Sequence, residues 1–476
     1  MTKSKTILYW VLGFIFSFAI LLRTVVFAVR NEFEDDECRL ILAFTDKSWW
    51  QMFLCIGNAQ SAPPFLIILE RLWGNLWNYN EYALKLLPYL CSIVSIFVFH
   101  KLTGKYFQHQ YSRVAADLLF AINLPVIIFS PIVKQYTPDI LTGLLCAYFL
   151  PEINILNLDR KGLIKLAVLL ILLPFVSLPS LFFIGAFIII NALNGLSSVK
   201  RLGIILSPFI IIMGLYYFFN LVPSKASLDM YFPNYWNDGF INIHNFLQVM
   251  VVHFRYVFYP NVFTLFELIL FVTGLAFFIK EKSTYAKFTL ILFGLILLAS
   301  VLKLYPLMSR VALYTIPFII IACIKPLDSI KLKSYWFILL CLLYLVGFSK
   351  YNLTFFQQVF ANEFYVDNAP KTLMADLIDK YNPKTDVVLC NNASSSSFLF
   401  YASQANFLPA KLEELPKFSG LEEYLNTLPK GNNYWFYLIK DYPKAPIFPI
   451  IMKWSENEKL IYGIQRKDSY LFLIQR

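Results

Sequence analysis

Five carboxylates fall within residues 32–37: Glu32, Glu34, Asp35, Asp36 and Glu37. They follow directly on an apolar run at 7–29. A carboxylate there could take the proton of an acceptor hydroxyl during group transfer. It could equally coordinate a hard divalent cation. The plain alternative is a solvated loop that merely carries charge. Acid at the lip of a membrane span is costly unless it faces a water-filled cavity, and that favours use. Asp36 and Glu37 are the first candidates and Asp35 is next. Glu32 and Glu34 read as solvated.

A second group is cationic. Lys134, Lys303 and Arg310 lie in stretches where the charge pattern of the chain predicts few cations. A lipid-linked phosphate would explain them, because Arg binds phosphate bidentately and Lys as a point charge. Snorkelling to lipid headgroups is the plain alternative. Arg23 can pair with the acids or snorkel. Glu81 and Lys85 are one helical turn apart and read as an ion pair. His253 with Arg255 could bind phosphate, but reads first as the exposed polar face of an interfacial helix. Asp139 can complement a helix N-terminus.

These residues must be positioned by membrane helices. The chain is 58% hydrophobic, 18% aromatic and only 15% charged over 476 residues, whereas a soluble domain carries about a quarter charged residues. Apolar runs predict helices near 7–29, 82–100, 114–130, 137–156, 163–178, 180–193, 202–221, 261–279, 288–302, 309–324 and 335–349. That makes a mainly α polytopic membrane protein of about 11 transmembrane helices. The first run carries Arg23 and lacks a small-residue cleavage site, so it reads as a retained anchor. Alternate loops are basic (Lys101, Lys105, Arg113; Arg160, Lys161, Lys165; Lys200, Arg201; Lys280, Lys282, Lys287; Lys325, Lys331, Lys333). The positive-inside rule then puts the N-terminus in the cytoplasm of a plasma or inner membrane. The carboxylate loop and the C-terminal tail fall outside. The same distribution accounts for the net charge of +11, so no nucleic-acid partner is implied.

Within the first outer loop, residues 38–44 and Phe65 to Trp73 predict interfacial helices. Beyond about residue 350 the composition turns polar and mixed. A helix is expected from Pro370 to Tyr381, and a loop at Ser394 to Ser397. Strands are expected at Asp386 to Cys390, Tyr434 to Ile439, Lys459 to Gly463 and Ser469 to Ile474. Two domains follow: a transmembrane domain over 1–350 and a small extracytoplasmic α/β domain over 351–476. Cys38 and Cys55 share the first outer loop, where a disulfide could form in an oxidising compartment. No phosphate-cradling glycine loop occurs, which argues against ATP-driven transport.

Four places resemble the GT-C glycosyltransferases that use polyprenyl-phosphate sugars, in particular the protein O-mannosyltransferase and lipid A aminoarabinose transferase group. Asp36-Glu37 after the first span is similar to their Asp-Glu pair. Ala62-Pro63-Pro64-Phe65-Leu66, leading to Tyr82-Ala83-Leu84-Lys85-Leu86-Leu87-Pro88, is similar to their Pro-Pro-Leu segment and second-span start. Lys134-Gln135-Tyr136 with Asp139 is similar to their motif before the fourth span. Tyr305-Pro306, Arg310 and Pro317 are similar to their Tyr-Pro…Arg…Pro pattern. Lys85 stands where arginine is usual, and Lys134-Gln135 where many members have Ala-Arg.

The resemblance implies an integral membrane glycosyltransferase, a hexosyl- or pentosyltransferase. It would move a sugar from a polyprenyl-phosphate donor to a lipid, glycan or protein acceptor on the outer face. Asp36 would be the general base or the carboxylate that orients the acceptor, with Glu37 supporting it. Lys134 and Arg310, assisted by Lys303, would hold the donor phosphate. Asp35, Arg23, Lys85, Tyr136 and Asp139 are secondary candidates. No nucleotide cofactor is expected, and a divalent metal is left open. A lipid-linked oligosaccharide flippase or transporter, or a polysaccharide polymerase or ligase, is the alternative.

Overall fold

The computed structural model describes residues 3–57, 60–231, 239–258, 264–307, 309–329, 370–416, 420–439, 447–466 and 469–476. The eleventh expected span, 335–349, and the expected domain boundary near 350 lie outside them. The chain forms two compact units. One comprises 1–28 and 47–354; the other comprises 29–46 and 355–476.

The first unit is helical. Its elements are α1 (Lys3–Val29), then, beyond α2 (Asp35–Thr45) of the other unit, α3 (Pro64–Leu76), α4 (Glu81–Tyr106), α5 (Gln110–Ala121), α6 (Leu124–Ile128) and α7 (Tyr136–Phe149). There follow α8 (Arg160–Val176), α9 (Ser180–Ala192), α10 (Leu196–Tyr216), α11 (Val222–Tyr231), α12 (Phe246–Val257), α13 (Thr264–Lys280), α14 (Thr284–Val301) and α15 (Ile316–Ser329). Five described stretches are long and apolar enough to cross a membrane: Leu8–Val29, Glu81–Tyr106, Leu196–Ala226, Thr284–Val301 and Ser309–Ser329. This is an integral membrane protein. The run 163–193 is two helices, α8 and α9, with Ser177 to Pro179 between them, as expected. The run 114–130 is broken into α5 and α6. Asn123, two residues beyond the end of α5, caps α6 by accepting the Val126 N–H at 3.2 Å.

Local chemistry sets the other starts. The Asn80 side chain accepts the N–H groups of Tyr82 and Ala83, which begins α4. Asp159 and Ser283 cap α8 and α14 in the same way. α4 carries Pro88 in its interior. The Pro88 carbonyl accepts the Thr137 hydroxyl at 2.7 Å, which fixes the first turn of α7 against α4. α13 and α15 approach closely at Gly274, where an added Cβ would lie 1.9 Å from the Ala322 carbonyl oxygen. Small residues permit such backbone approach between membrane helices.

The second unit holds α2 and the C-terminal elements: α16 (Pro370–Lys380), β1 (Asp386–Cys390), α17 (Ser395–Gln404), β2 (Leu412–Glu414), α18 (Leu421–Thr427), β3 (Asn433–Ile439), α19 (Ile447–Ser455), β4 (Lys459–Arg466) and β5 (Ser469–Gln475). The sheet order is β2-β1-β3-β5-β4. β2, β1 and β3 are parallel, in register Val388↔Leu412 and Val388↔Trp435. β5 is antiparallel to β3 and β4, with Phe472 opposite Phe436 and Gly463. β1 and β3 are near-continuous apolar runs because both of their faces are covered. The expected loop at Ser394 to Ser397 is instead the start of α17. A serine run there supplies a helix start as readily as a loop.

Candidate functional site

In the first unit, α7 and the 3₁₀ helix Ser309–Thr315 hold two of the three expected cations, Lys134 and Arg310, near Tyr136. Lys134 precedes α7, is buried, and bonds the Gln60 side-chain oxygen. Gln135 donates to the Ser61 carbonyl at 3.3 Å. The segment before α7 is thereby tied to the residues just ahead of Pro63-Pro64. The Arg310 guanidinium lies 6.0 Å from the ring centre of Tyr136. Tyr136 is two residues from Lys134, so one aromatic ring brings Lys134 and Arg310 into one neighbourhood.

The neighbouring wall is aromatic and polar. Tyr305, Tyr314 and Phe182 pack together, with ring centres 5.4–6.1 Å apart. Asp139 in the first turn of α7 is buried, and Ser177 is beside it. Asp139 faces the Ser177 hydroxyl, and the buried Tyr314 is close enough to sense its charge.

The remaining candidates of this unit are placed differently. Lys85 is fully buried in α4, with Nζ 5.7 Å from the ring centre of Tyr82. Lys303 is exposed and holds a left-handed backbone (φ 56°). Its carbonyl accepts from Lys225 at 3.4 Å. Arg23 is fully buried and bonds Ser92 Oγ at 2.9 Å, the Ala19 carbonyl at 3.0 Å and the Ala121 carbonyl at 2.8 Å. Ala121 ends α5, so Arg23 is a helix C-terminal cap in the protein interior.

The carboxylates belong to the second unit. Asp35, Asp36 and Glu37 form the first turn of α2, where negative charge complements the helix N-terminus. Glu37 is buried against Arg30 and also accepts the Glu34 N–H at 3.0 Å. Asp35 pairs with Arg39 at 2.9 Å and accepts the Ser397 N–H at 2.9 Å. Arg39 also reaches the Asn392 carbonyl at 3.2 Å. Burial pushes the Asp35 carboxyl up to about 6, against the pull of Arg39 and the Ser397 N–H. Glu32 accepts the Lys371 N–H at 2.9 Å and the Thr372 hydroxyl at 2.7 Å. Its carboxyl is also raised by burial, which outweighs those bonds. Asp36 is half-buried on the same helix turn.

Glu32 is therefore an anchor, not the solvated acid the sequence suggests. Gln60, Ser177, Tyr314, Thr372, Ser397 and Tyr401 were not legible as functional. Only the serine run offered a signal, as a helix start. Cys38 and Cys55 are both free thiols. No group of three or more His, Cys, Asp or Glu that could hold a metal occurs among the described residues. Asp35 and Glu37 already face arginines, so the carboxylate turn does not fit a metal and no step is routed through one.

No protein-family model matches the sequence, and no curated protein matches it. Solved structures do match. ArnT from Cupriavidus metallidurans in the apo state is 10% identical with a TM-score of 0.53, over 97% of this chain and 98% of that one. The same protein bound to undecaprenyl phosphate is 12% identical with a TM-score of 0.51, over the same shares. The Archaeoglobus fulgidus oligosaccharyltransferase in complex with Zn and sulfate is 12% identical with a TM-score of 0.52, over 96% of this chain and 72% of that one. Over nearly its whole length the fold of this chain is similar to that of ArnT and of the oligosaccharyltransferase.

Proposed function

We propose that this chain is an integral membrane glycosyltransferase. It moves a sugar from a polyprenyl-phosphate donor to a lipid, glycan or protein acceptor at the outer face of the membrane. The observation that carries this reading is the end-to-end likeness to ArnT, a protein solved with undecaprenyl phosphate bound. The N-terminus is assigned to the cytoplasm, and the C-terminal unit to the outside.

Lys134 and Arg310 receive the donor phosphate, and Lys303 assists them. Their shared neighbour Tyr136 supports this assignment. The acceptor oxygen attacks the anomeric carbon, and its proton passes to the Asp36 carboxylate. The bond from that carbon to the phosphate oxygen breaks, and polyprenyl phosphate leaves with the electron pair. A single displacement inverts the anomeric centre. Negative charge grows on the phosphate as it leaves, so cations lower the barrier most there. Glu37, held by Arg30, acts by orienting the α2 turn.

The test uses membranes containing the purified chain and radiolabelled polyprenyl-phosphate sugars. Wild type is expected to transfer label and release free polyprenyl phosphate. Asp36→Asn is expected to bind donor without turnover. Equal turnover by Asp36→Asn would remove the assignment of Asp36. Lipid crossing the bilayer without transfer across a broad donor panel would replace the enzyme by a flippase.

A further inference from the structure

In the second unit, β1 leads through α17 to β2 on one side, and the chain returns to β3 on the other. The carboxyl ends of β1 and β3 form the switch point at which doubly wound sheets receive their ligands. Asn391, directly after β1, bonds both the carbonyl and the N–H of Ile439 at the end of β3, at 2.7 and 3.2 Å. The N-terminus of α17 opens from the same place.

That place is filled by this chain's own α2. The Asp35 carboxylate takes the Ser397 N–H in the first turn of α17, where a bound anion would sit. The Asn392 carbonyl in the same loop takes Arg39. A second carboxylate repeats the arrangement, with Glu32 on the first turn of α16 through the Lys371 N–H and the Thr372 hydroxyl. Between them the Phe33 N–H donates to Tyr401 Oη at 2.7 Å, and the Phe33 ring meets Phe400 at 5.5 Å. Two acids and a main-chain N–H, all within residues 32–35, thus dock on α16 and α17. Asp36 is the next residue.

We infer that the C-terminal unit is a positioning device for the Asp36 turn: its switch-point crevice holds residues 32–39 as an internal ligand, with Asp35, Glu32, Thr372, Ser397 and Tyr401 as positioning groups. This rests on the glycosyltransferase reading for what Asp36 does, but the docking itself does not. A displacement of about 1 Å in a reacting group costs on the order of a hundredfold in rate. Loosening the dock should therefore reduce turnover without altering donor binding.

The experiment compares wild type, Asp35→Ala, Asp35→Asn and the double variant Thr372→Val/Tyr401→Phe, as full chains in detergent at matched amounts of monodisperse protein. Donor KM and kcat are measured, together with hydrogen exchange of the amides in 33–45. Asp35→Ala and the double variant are expected to lower kcat at least tenfold, with donor KM within about twofold. Exchange in 33–45 should rise. Asp35→Asn, which keeps an acceptor for the Ser397 N–H, should recover most of the kcat. Unchanged kcat in both damaged variants, or raised KM at constant kcat, overturns the inference. So does a failure of Asp35→Asn to recover. Absence of any transfer by wild type would defeat the glycosyltransferase reading instead. The exchange measurement then decides the docking by itself, and unchanged exchange in Asp35→Ala would overturn it.

Discussion

The Asp35 carboxylate accepts the main-chain N–H of Ser397 at 2.9 Å, across 362 residues of sequence. Burial raises its carboxyl to about 6 from an ordinary 3.8. A raised acid contributes stability that is present below its unfolded value and lost as pH rises through its folded value. The attachment of α2 should therefore weaken between about pH 4 and pH 6, by up to about 3 kcal/mol. Glu32 shifts in the same direction, also through burial. Hydrogen exchange of the α2 amides, corrected for intrinsic rates, should show greater protection at pH 5 than at pH 7.5. Asp35→Asn should flatten that difference.

Asp386 should act in the opposite sense. Burial pushes its carboxyl up, but bonds from the Asn382 N–H, Asn433, Trp435 and Thr385 outweigh it and leave it below the usual value. Its contribution is present above the ordinary carboxylate range and disappears as pH falls through its depressed value. Asp386→Ala also leaves the buried Trp435 Nε1–H without the acceptor it meets at 2.8 Å. That should cost roughly 1–3 kcal/mol. Hydrogen exchange of the β1 and β3 amides in the full chain, wild type against variant, would show it.

Arg310→Ala should raise donor KM at least about tenfold, the scale of one lost charge-assisted hydrogen bond. Arg310→Lys should lie between, because lysine keeps the charge and loses the fork. Tyr136→Leu, which removes the ring beside Arg310, should raise donor KM in the same direction. Initial rates over a donor titration separate these cases.

Arg23→Met should lower stability by about 3 kcal/mol, because it leaves the buried Ser92 hydroxyl and the Ala121 carbonyl without their donor. Donor KM of the folded fraction should stay at the wild-type value. Detergent melting and kinetics on the same preparation check both halves.

Gly274→Ala should force α13 from α15, since its Cβ would meet the Ala322 carbonyl oxygen at 1.9 Å. Overpacking of this kind costs roughly 1–3 kcal/mol. A lower melting temperature with unchanged helix content is the expected result.

The helices were legible because apolar runs mark them. The break at Asn123 and the separation of α8 from α9 follow from local caps and turns. The strands β1, β3, β4 and β5 were legible from β-branched and aromatic runs. α17 was not, since Ser394 to Ser397 serves a turn or a helix start equally well. Lys134 and Arg310 were legible as cations needing a reason. Their meeting at Tyr136 was not, because nothing in either stretch encodes the other. Asp35 and Glu32 were legible as acids. Their partners Ser397 and Lys371 offer main-chain N–H groups, and such groups carry no sequence signature.

Residues 29–46 belong to the unit completed by residues 355–476. The ribosome delivers these two parts far apart in time. At about 5–20 residues per second, the 362 positions between Asp35 and Ser397 take roughly 20–70 s to synthesise. For that interval Phe33, Ile41 and Phe44, all buried in the finished protein, lack α17, whose Phe400 and Tyr401 meet Phe33. A nascent chain truncated before residue 370 would present them to chaperones and proteases for its whole lifetime.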